Sequence, residues 1–249
     1  MKLMSIDQKE ETEVFKRDVA TSGGYLYTTN PSMSSVLASQ RLTKAILEIC
    51  HVEAKAVLDV GCGDGSATVE LYDSGSPGYV GAIDPVIEAI EVGQSKRADR
   101  RISFLVGSAY ELPFRENYFD VAILRGILHH MKLPVRALAE CLRVASTLVV
   151  VEPNGWNPVV KMLERISPYH IQHGERSFRS GILDEWIVRS GAKIVHRKWV
   201  GLVPFFCPDW LARVAKMIEP LVESTPLIRV CGGQYVFIAC KNEVKQQSC

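Results

Sequence analysis

The chain has 249 residues, of which 47% are hydrophobic and 23% are charged, so it is long enough to bury a full core. Its 29 basic and 28 acidic side chains nearly cancel, which disfavours nucleic acid as the main partner. The seven cysteines are odd in number and form no C-x-x-C pair, so neither a zinc ribbon nor a disulfide framework is indicated. These thiols, together with a charged N-terminus unlike a signal peptide and no apolar run of about 20 residues, predict a cytoplasmic protein.

The chain begins with a charged segment that is compatible with a helix and continues into a loop rich in glycine and tyrosine. Between Met33 and Cys50, apolar residues recur at the spacing of an amphipathic helix. Five short apolar runs follow, and each has the composition of a buried strand: 56–60, 79–84, 102–107, 119–126 and 146–153. Helical segments separate several of these runs, and such alternation predicts right-handed βαβ units in a parallel sheet that helices cover on both faces.

The pattern changes after Pro153. Residues 193–200 and 234–241 are predicted strands, and the apolar, proline-rich residues 201–233 between them are too many for a tight hairpin. The sequence therefore predicts an α/β fold, a doubly wound Rossmann-like sheet of seven mostly parallel strands that ends in a C-terminal antiparallel strand pair.

The most specific motif is VLDVGCGDGS, residues 57–66, in which a predicted strand enters a turn containing Gly61, Gly63 and Gly65. Glycines permit a tight turn and let a ligand approach the backbone, and the following helix offers its positive dipole end. A dinucleotide fold uses G-x-G-x-x-G here to hold a pyrophosphate. In this chain the third glycine comes one residue early, and Asp59 before the turn would repel a pyrophosphate but attract a cationic ligand. The motif therefore disfavours a nicotinamide cofactor.

Asp84 ends the second predicted strand, nineteen residues after Gly65. A carboxylate at this strand tip can accept hydrogen bonds from both hydroxyls of a ribose. The alternative is a helix N-cap before Pro85. The nineteen-residue separation of Asp84 from the glycine turn favours ribose binding over the N-cap role.

Two further segments complete the pattern, GSAYELPF at 107–114 and YFDVAILRGILHHM at 118–131. In this order and spacing, the four motifs resemble those of the class I S-adenosylmethionine-dependent methyltransferases, in particular the small-molecule group that includes the quinone-pathway enzymes. The resemblance covers about residues 55–200 and implies that S-adenosylmethionine is the cofactor.

The resemblance also implies a role for individual residues. Asp59, Gly61 and Gly63 would line the amino-acid part of the cofactor. Asp84 would hold the ribose hydroxyls, and Pro85 would pack against the adenine.

Ser108 and Ala109 would face the adenine edge, and Arg125 would lie beneath the sulfonium. The family usually carries an acidic residue at the position of Ser108, where it accepts a hydrogen bond from the adenine amino group. Losing a charged acceptor there is expected to weaken cofactor binding by about 1–2 kcal/mol.

The stretch after the fourth strand contains His129 and His130. An imidazole there could act as a general base for a hydroxyl substrate, or it could simply pack at the strand end. Some relatives bind a divalent metal with glutamates and a histidine in this stretch. Because Gly126 and His129 occupy the glutamate-like positions, no metal site is predicted. His130 aligns better with the family histidine and is the candidate catalytic residue.

Two segments outside the motifs bear on the site. The family often folds an N-terminal cap over the cofactor, and residues 1–54 are expected to form it. Within the cap, Arg41 would either pair with the methionine carboxylate of the cofactor or lie on the surface. In the insertion 201–233, apolar residues from Trp210 to Leu221 share one helix face. That face would either pack on its own domain or form an apolar lid or a membrane-docking surface.

Together these features predict one methyltransferase domain over residues 1–249, with the cap 1–54 and the insertion 201–233. Its expected activity is methyl transfer from S-adenosylmethionine to a small acceptor, including apolar, lipid-like ones. Such a reaction needs alignment of the reactants rather than a covalent intermediate. The alternatives are a nucleotide-dependent oxidoreductase of the NAD type and a non-catalytic module that binds S-adenosylmethionine.

Overall fold

The computed structural model describes residues 6–98, 100–205 and 207–242, with side chains from residue 12 onward. The strands of its sheet are β1 (Ala56–Val60), β2 (Tyr79–Asp84), β3 (Ile102–Val106), β4 (Phe119–Arg125), β5 (Ala145–Pro153), β6 (Ala192–Val200) and β7 (Gln234–Lys241). The α-helices in these residues are α1 (Ile6–Ser22), α2 (Leu26–Thr29), α3 (Met33–Ile49), α4 (Ser66–Gly75), α5 (Ile87–Lys96), α6 (Pro134–Val144), α7 (Pro158–Ile166), α8 (Pro168–Gln172), α9 (Ser180–Arg189) and α10 (Asp209–Ser224). Short 3₁₀ turns lie at Leu128–His130 and Arg229–Cys231.

The seven strands form one sheet in the order β3-β2-β1-β4-β5-β7-β6. Strands β1 to β5 are mutually parallel, and β7 is antiparallel to both of its neighbours, β5 and β6. The predicted fold class is therefore confirmed, including the C-terminal antiparallel pair.

The sheet is buried on both faces. Val57 and Leu58 are neighbours on β1 and are both fully buried, although successive side chains on a strand point to opposite faces. Leu58 packs in a core that includes Leu138 of α6, whereas Val57 packs in a core that includes Ile46 of α3. Continuous apolar runs are what such a sheet requires, because neither face of the strand meets water.

The strand order reverses between β1 and β4, which lie side by side although β2 and β3 separate them in the chain. Connections leave these two strands toward opposite sides of the sheet, and a crevice opens at their carboxyl ends. The glycine turn after β1 and the residues after β4 meet at this crevice.

Helix α10 occupies the insertion, but its apolar face does not pack on the domain. Trp210, Met217 and Leu221 are 67%, 75% and 66% exposed, whereas the buried face carries Ala212 and Ala215. Of the two alternatives that the sequence left open, an apolar face packed on its own domain is therefore wrong. The small alanines allow the helix to approach closely, and its large side chains remain outside.

Arg41 is the second departure from the sequence expectations. Its side chain is buried and joins α3 to α10, with Nε 3.0 Å from Oε1 of Glu223 and further contacts to Glu48 and Glu219. It lies neither on the surface nor among the residues that line the cavity described below. Arg41 is therefore a structural ion partner of α10.

Among the described residues, every helix is too short or too polar to cross a membrane.

Candidate active site

The glycine turn after β1 has a backbone conformation that residues other than glycine rarely adopt. Gly61 and Gly63 have φ angles of 73° and 54°, in the left-handed region that favours glycine. A Cβ on Gly61 would come within 2.5 Å of Ile127, and one on Gly63 within 2.6 Å of the Tyr25 ring. The turn is therefore a place where other groups lie directly on the main chain, as the sequence predicted.

Asp84 lies at the end of β2, beside this turn, and its carboxylate is buried. Oδ2 accepts a hydrogen bond from the Gly63 amide at 2.9 Å, and Oδ1 accepts one from the Val86 amide at 2.9 Å. Burial raises the pKa of Asp84 to about 6 despite these bonds. The Val86 bond is a local turn contact. Because Val86 itself is the N-cap of α5, the alternative of Asp84 as a helix N-cap is wrong, and Asp84 lines the cavity described below.

Asp59 and Arg125 lie on adjacent strands, with Asp59 buried and Arg125 partly buried. Asp59 accepts a hydrogen bond of 2.6 Å from Thr68, and burial raises its pKa. Arg125 donates to Oγ1 of Thr43 at 3.0 Å and to the carbonyl oxygen of Ser39 at 3.1 Å. Burial lowers the pKa of Arg125. The guanidinium thus ties β4 to helix α3 at the edge of the crevice.

Asp64 is a site residue that the sequence interpretation missed. Its buried carboxylate accepts hydrogen bonds from Thr28 at 2.5 Å and from the Tyr25 amide at 3.3 Å, and Lys96 lies 3.4 Å away. It therefore connects the N-terminal segment to the glycine turn. In the sequence, the position of Asp64 directly before Gly65 indicated only that it is a turn residue.

The N-terminal segment covers the crevice. The Phe15 ring of α1 lies 5.0 Å from the ring of His130 and 5.4 Å from that of Tyr25. Asp18, one turn further along α1, lies 2.9 Å from Nε2 of His173. These contacts place α1 over the carboxyl ends of the central strands.

The crevice contains a cavity of about 630 Å³. The predicted site residues that line it are Asp59, Gly61, Gly63, Asp84, Pro85, Arg125 and His130. A smaller cavity of about 60 Å³ is lined by Ser108 and Ala109 and shares Gly61 and Pro85 with the larger one. The structure thus brings all the sequence-predicted site residues to two adjoining cavities.

Part of the cavity wall is apolar and aromatic. The Tyr27 ring lies 5.0 Å from that of Tyr169 and 4.8 Å from that of Phe205, in edge-to-face arrangements. Leu42 and Leu163 line the same cavity. This wall would accept a ligand with an apolar or planar surface.

His129 is held between two carboxylates. Nδ1 lies 2.7 Å from Oε2 of Glu152, and Nε2 lies 2.8 Å from Oε2 of Glu175. Burial alone would lower the pKa of His129, but the two carboxylates raise it to about 10. Glu152, at the end of β5, also accepts hydrogen bonds from the Ile127 and Leu128 amides.

His130 has a different environment. Its Nε2 lies 3.7 Å from Oε1 of Glu175, and its ring contacts that of His129 at 3.9 Å. Burial and the neighbouring His129 lower the pKa of His130 to about 3, so its imidazole is neutral at physiological pH. Glu175 follows α8 and was not considered in the sequence interpretation.

The charges around the glycine turn fit the cofactor that the motifs implied. Three buried carboxylates, Asp59, Asp64 and Asp84, line the cavity beside the glycine turn. Carboxylates attract an ammonium or a sulfonium and accept hydrogen bonds from ribose hydroxyls, but they repel a pyrophosphate. These three carboxylates therefore fit S-adenosylmethionine better than a dinucleotide.

Comparison with known proteins identifies the family. Residues 58–148 match a family model described as a methyltransferase domain. The demethylmenaquinone methyltransferase of Renibacterium salmoninarum is 31% identical over 157 residues, which are 61% of this chain and 63% of that protein. The demethylmenaquinone methyltransferase of Bacillus pumilus is 30% identical over 217 residues, or 83% of this chain and 84% of that protein.

The fold agrees as well. An S-adenosylmethionine-dependent methyltransferase from Thermotoga maritima superimposes with a TM-score of 0.69 at 17% identity, covering 93% of this chain and 100% of that one. Several of the curated relatives align over only part of their length, between 36% and 63%. The Bacillus pumilus alignment nevertheless extends well beyond the cofactor motifs, so this chain belongs to the class I S-adenosylmethionine-dependent methyltransferases, whose cofactor is S-adenosylmethionine.

Proposed function

We propose that the chain transfers a methyl group from S-adenosylmethionine to a small, apolar acceptor bound in the same cavity. One observation carries the proposal: the carboxylates beside the glycine turn and a group of aromatic and apolar side chains line a single cavity of about 630 Å³. That volume lies in the range of ligand pockets, and its lining offers both charged and apolar groups. The cofactor supplies an activated methyl group, and the protein aligns it with the acceptor.

The cofactor end is assigned to residues around the turn. We propose that the Asp84 carboxylate accepts the ribose hydroxyls, and that Asp59 and the backbone of Gly61 and Gly63 hold the amino-acid part. The ionised form of Asp84 is the better acceptor, since hydrogen bonds to a charged group are the stronger ones.

The adenine end is assigned to the small cavity. We propose that Pro85 packs against the base and that Ser108 and Ala109 border its edge. The Ser108 hydroxyl already accepts the Tyr110 amide at 3.1 Å, so it is a weaker acceptor for the base than a carboxylate would be.

Arg125 is proposed to border the sulfonium. A cation beneath a sulfonium is favourable only if its own charge is engaged elsewhere. The carboxylates of Glu70 and Asp59 offset this charge, and the oxygens of Ser39 and Thr43 hold the guanidinium by accepting its N–H groups. Arg125 would then act as a rigid floor that positions α3 rather than as an ion partner of the cofactor.

The acceptor would lie against Tyr27, Phe205 and Leu163, with His130 as the catalytic residue. A neutral imidazole at the cavity can accept a proton from an acceptor hydroxyl. Its lowered pKa makes it a weak base, so the proposed role is limited to acceptors whose proton is already acidic.

Peripheral contact with a membrane is proposed through α10. Its outward face presents Trp210, Met217 and Leu221 together with the exposed Asp209 and Arg213, while Glu219 and Glu223 turn inward to Arg41. An exposed apolar helix face suits insertion at a lipid surface. An apolar acceptor could then be taken from the membrane.

We also propose a cytoplasmic location and a set of domain boundaries. Cys50, Cys62, Cys141, Cys207, Cys231 and Cys240 are free thiols, which supports a cytoplasmic protein. A single domain over 1–249 with a cap at 1–54 and an insertion at 201–233 is consistent with the helices that lie over the strand ends.

The proposal is tested by incubating the protein with methyl-labelled S-adenosylmethionine and a panel of apolar hydroxyaromatic and quinone-like compounds. Labelled acceptor and S-adenosylhomocysteine should form together, and Asp84→Asn should reduce both. Cofactor binding without turnover of any acceptor, in the presence or absence of lipid vesicles, would favour the non-catalytic binding module.

A further inference from the structure

The side chains of His129, His130 and Glu175, which can each supply a metal ligand, meet at the cavity. Ion pairing alone would not require all three to meet. One ligand atom from each lies within 4.8 Å of the others. His129 and His130 come from the turn after β4, and Glu175 comes from the loop after α8, so the cluster is formed by the tertiary fold. Each oxygen of Glu175 faces one of the two histidines, at 2.8 Å and 3.7 Å.

We propose that this cluster is a site for one divalent transition-metal ion, with His129 Nε2, His130 Nε2 and a Glu175 oxygen as ligands. Zinc lies about 2.0–2.2 Å from such atoms, so the ligand atoms of one ion lie about 3–4 Å apart, near the spacings found here. Two imidazoles and one carboxylate suit zinc or iron(II) better than magnesium, which prefers oxygen ligands alone.

A second group orients the first ligand. Glu152 contacts Nδ1 of His129 at 2.7 Å and is itself fixed by the Ile127 and Leu128 amides. A carboxylate on the far nitrogen of a metal-binding histidine is the usual way to fix the ring and direct the other nitrogen to the ion. Here that other nitrogen, Nε2, is buried and lies 2.8 Å from Oε2 of Glu175, the third proposed ligand.

The surroundings also suit a site for an ion with an open position. Three protein ligands leave room for an oxygen of a bound molecule, and the cluster borders the cavity proposed for the acceptor. Nδ1 of His170, on the same cavity, is buried without a hydrogen-bond partner in the described part of the chain.

The inference rests on the proposed function and changes the role of His130 in it. With an ion bound, the His130 nitrogen is a ligand, and the ion rather than the imidazole orients an acceptor oxygen and lowers its pKa. The earlier prediction of no metal considered only the positions 126–130 and not Glu175.

The test is calorimetric titration of chelator-treated protein with zinc chloride, with magnesium chloride for comparison. We expect one zinc ion per chain and much weaker magnesium binding. Glu175→Gln and His130→Ala should each lower zinc affinity at least tenfold, and Glu152→Gln should lower it about 10- to 100-fold. The exposed His51, beside Glu53, provides the control, and His51→Ala should leave zinc affinity unchanged.

Two further measurements distinguish loss of the metal site from misfolding and from loss of cofactor binding. Cobalt(II) in place of zinc should give a visible d–d spectrum that Glu175→Gln abolishes. Thermal unfolding and S-adenosylmethionine titration of each variant show whether it is folded and whether the cofactor site is intact. Absence of zinc binding, or binding that persists in both Glu175→Gln and His130→Ala, would overturn the metal site. Failure of S-adenosylmethionine to bind would instead overturn the proposed function.

Discussion

The hydroxyl of Tyr25 lies 3.4 Å from Oδ1 of Asp84, and the Tyr25 ring covers Gly63. The N-terminal segment therefore touches the very carboxylate that we propose binds the ribose. A ribose hydroxyl on Oδ1 would have to share this oxygen with the tyrosine or displace it.

Tyr25→Phe is expected to raise the affinity for S-adenosylmethionine about two- to threefold. The variant keeps the ring on Gly63 but removes the competing donor, and a hydrogen bond this long lies at the low end of about 0.5–1.5 kcal/mol. Calorimetric titration measures the change, with Tyr118→Phe as a control at an exposed tyrosine. Weaker binding in Tyr25→Phe would show that the hydroxyl assists the cofactor instead.

Asp84 is expected to make stability depend on pH. Burial raises its pKa to about 6, above about 3.9 for an unfolded aspartate. Between these values the folded protein holds a proton that the unfolded chain has released, so the stabilisation is complete below about pH 4 and is lost as the pH rises through 6.

The free energy of unfolding of the wild type, relative to Asp84→Asn, should therefore fall by up to about 3 kcal/mol between pH 4 and pH 7. Urea unfolding of both proteins across this range gives the difference, in which the other titrating groups largely cancel. A difference that stays constant with pH would contradict the raised pKa.

Arg41→Met is expected to destabilise the protein without impairing the cofactor site. The substitution removes the buried cation that pairs with Glu223, whereas Glu219 keeps Lys216 at 2.6 Å. Removing one partner of a buried ion pair costs about 3–5 kcal/mol. Urea unfolding should show this loss, and the exposed Arg189→Met should change stability by less than about 0.5 kcal/mol. Loss of S-adenosylmethionine binding at unchanged stability would restore the role of Arg41 as a partner of the methionine carboxylate.

The outward face of α10 is expected to bind lipid. Met217→Glu and Leu221→Glu together should reduce sedimentation with phosphatidylcholine–phosphatidylglycerol vesicles about tenfold or more, since burying each apolar side chain contributes about 1.5–3 kcal/mol. Val195→Glu, at an exposed apolar residue on β6, is the control and should bind as the wild type does. Equal binding of the wild type and the double variant would remove the membrane proposal.

Strand positions were predictable because a parallel sheet buried on both faces needs continuous apolar runs. The predicted strand 234–241 coincides with β7, and 79–84 coincides with β2. The orientation of α10 was not predictable, because helical periodicity identifies an apolar face without saying where it points. The alanines at 212 and 215, which allow close packing on the opposite face, carry too weak a hydrophobic signal to decide the matter.

The cofactor end of the site was predictable for a similar reason. Asp59, Gly61 and Gly63 belong to one short motif, and Asp84 ends the adjacent strand, so a parallel sheet brings them together. Glu175 follows the short helix α8, and no local motif links it to His129. Only the path of the chain after β5 brings the two together.

Binding of S-adenosylmethionine to the purified protein tests the central claim most directly. Calorimetric titration should show saturable binding of S-adenosylmethionine and S-adenosylhomocysteine and none of NAD or NADP. Asp84→Asn should lower the affinity for both sulfur compounds about 10- to 150-fold, because their hydrogen bonds to a charged carboxylate are lost. Binding of NAD, or binding of S-adenosylmethionine that is unaffected by Asp84→Asn, would contradict the site described here.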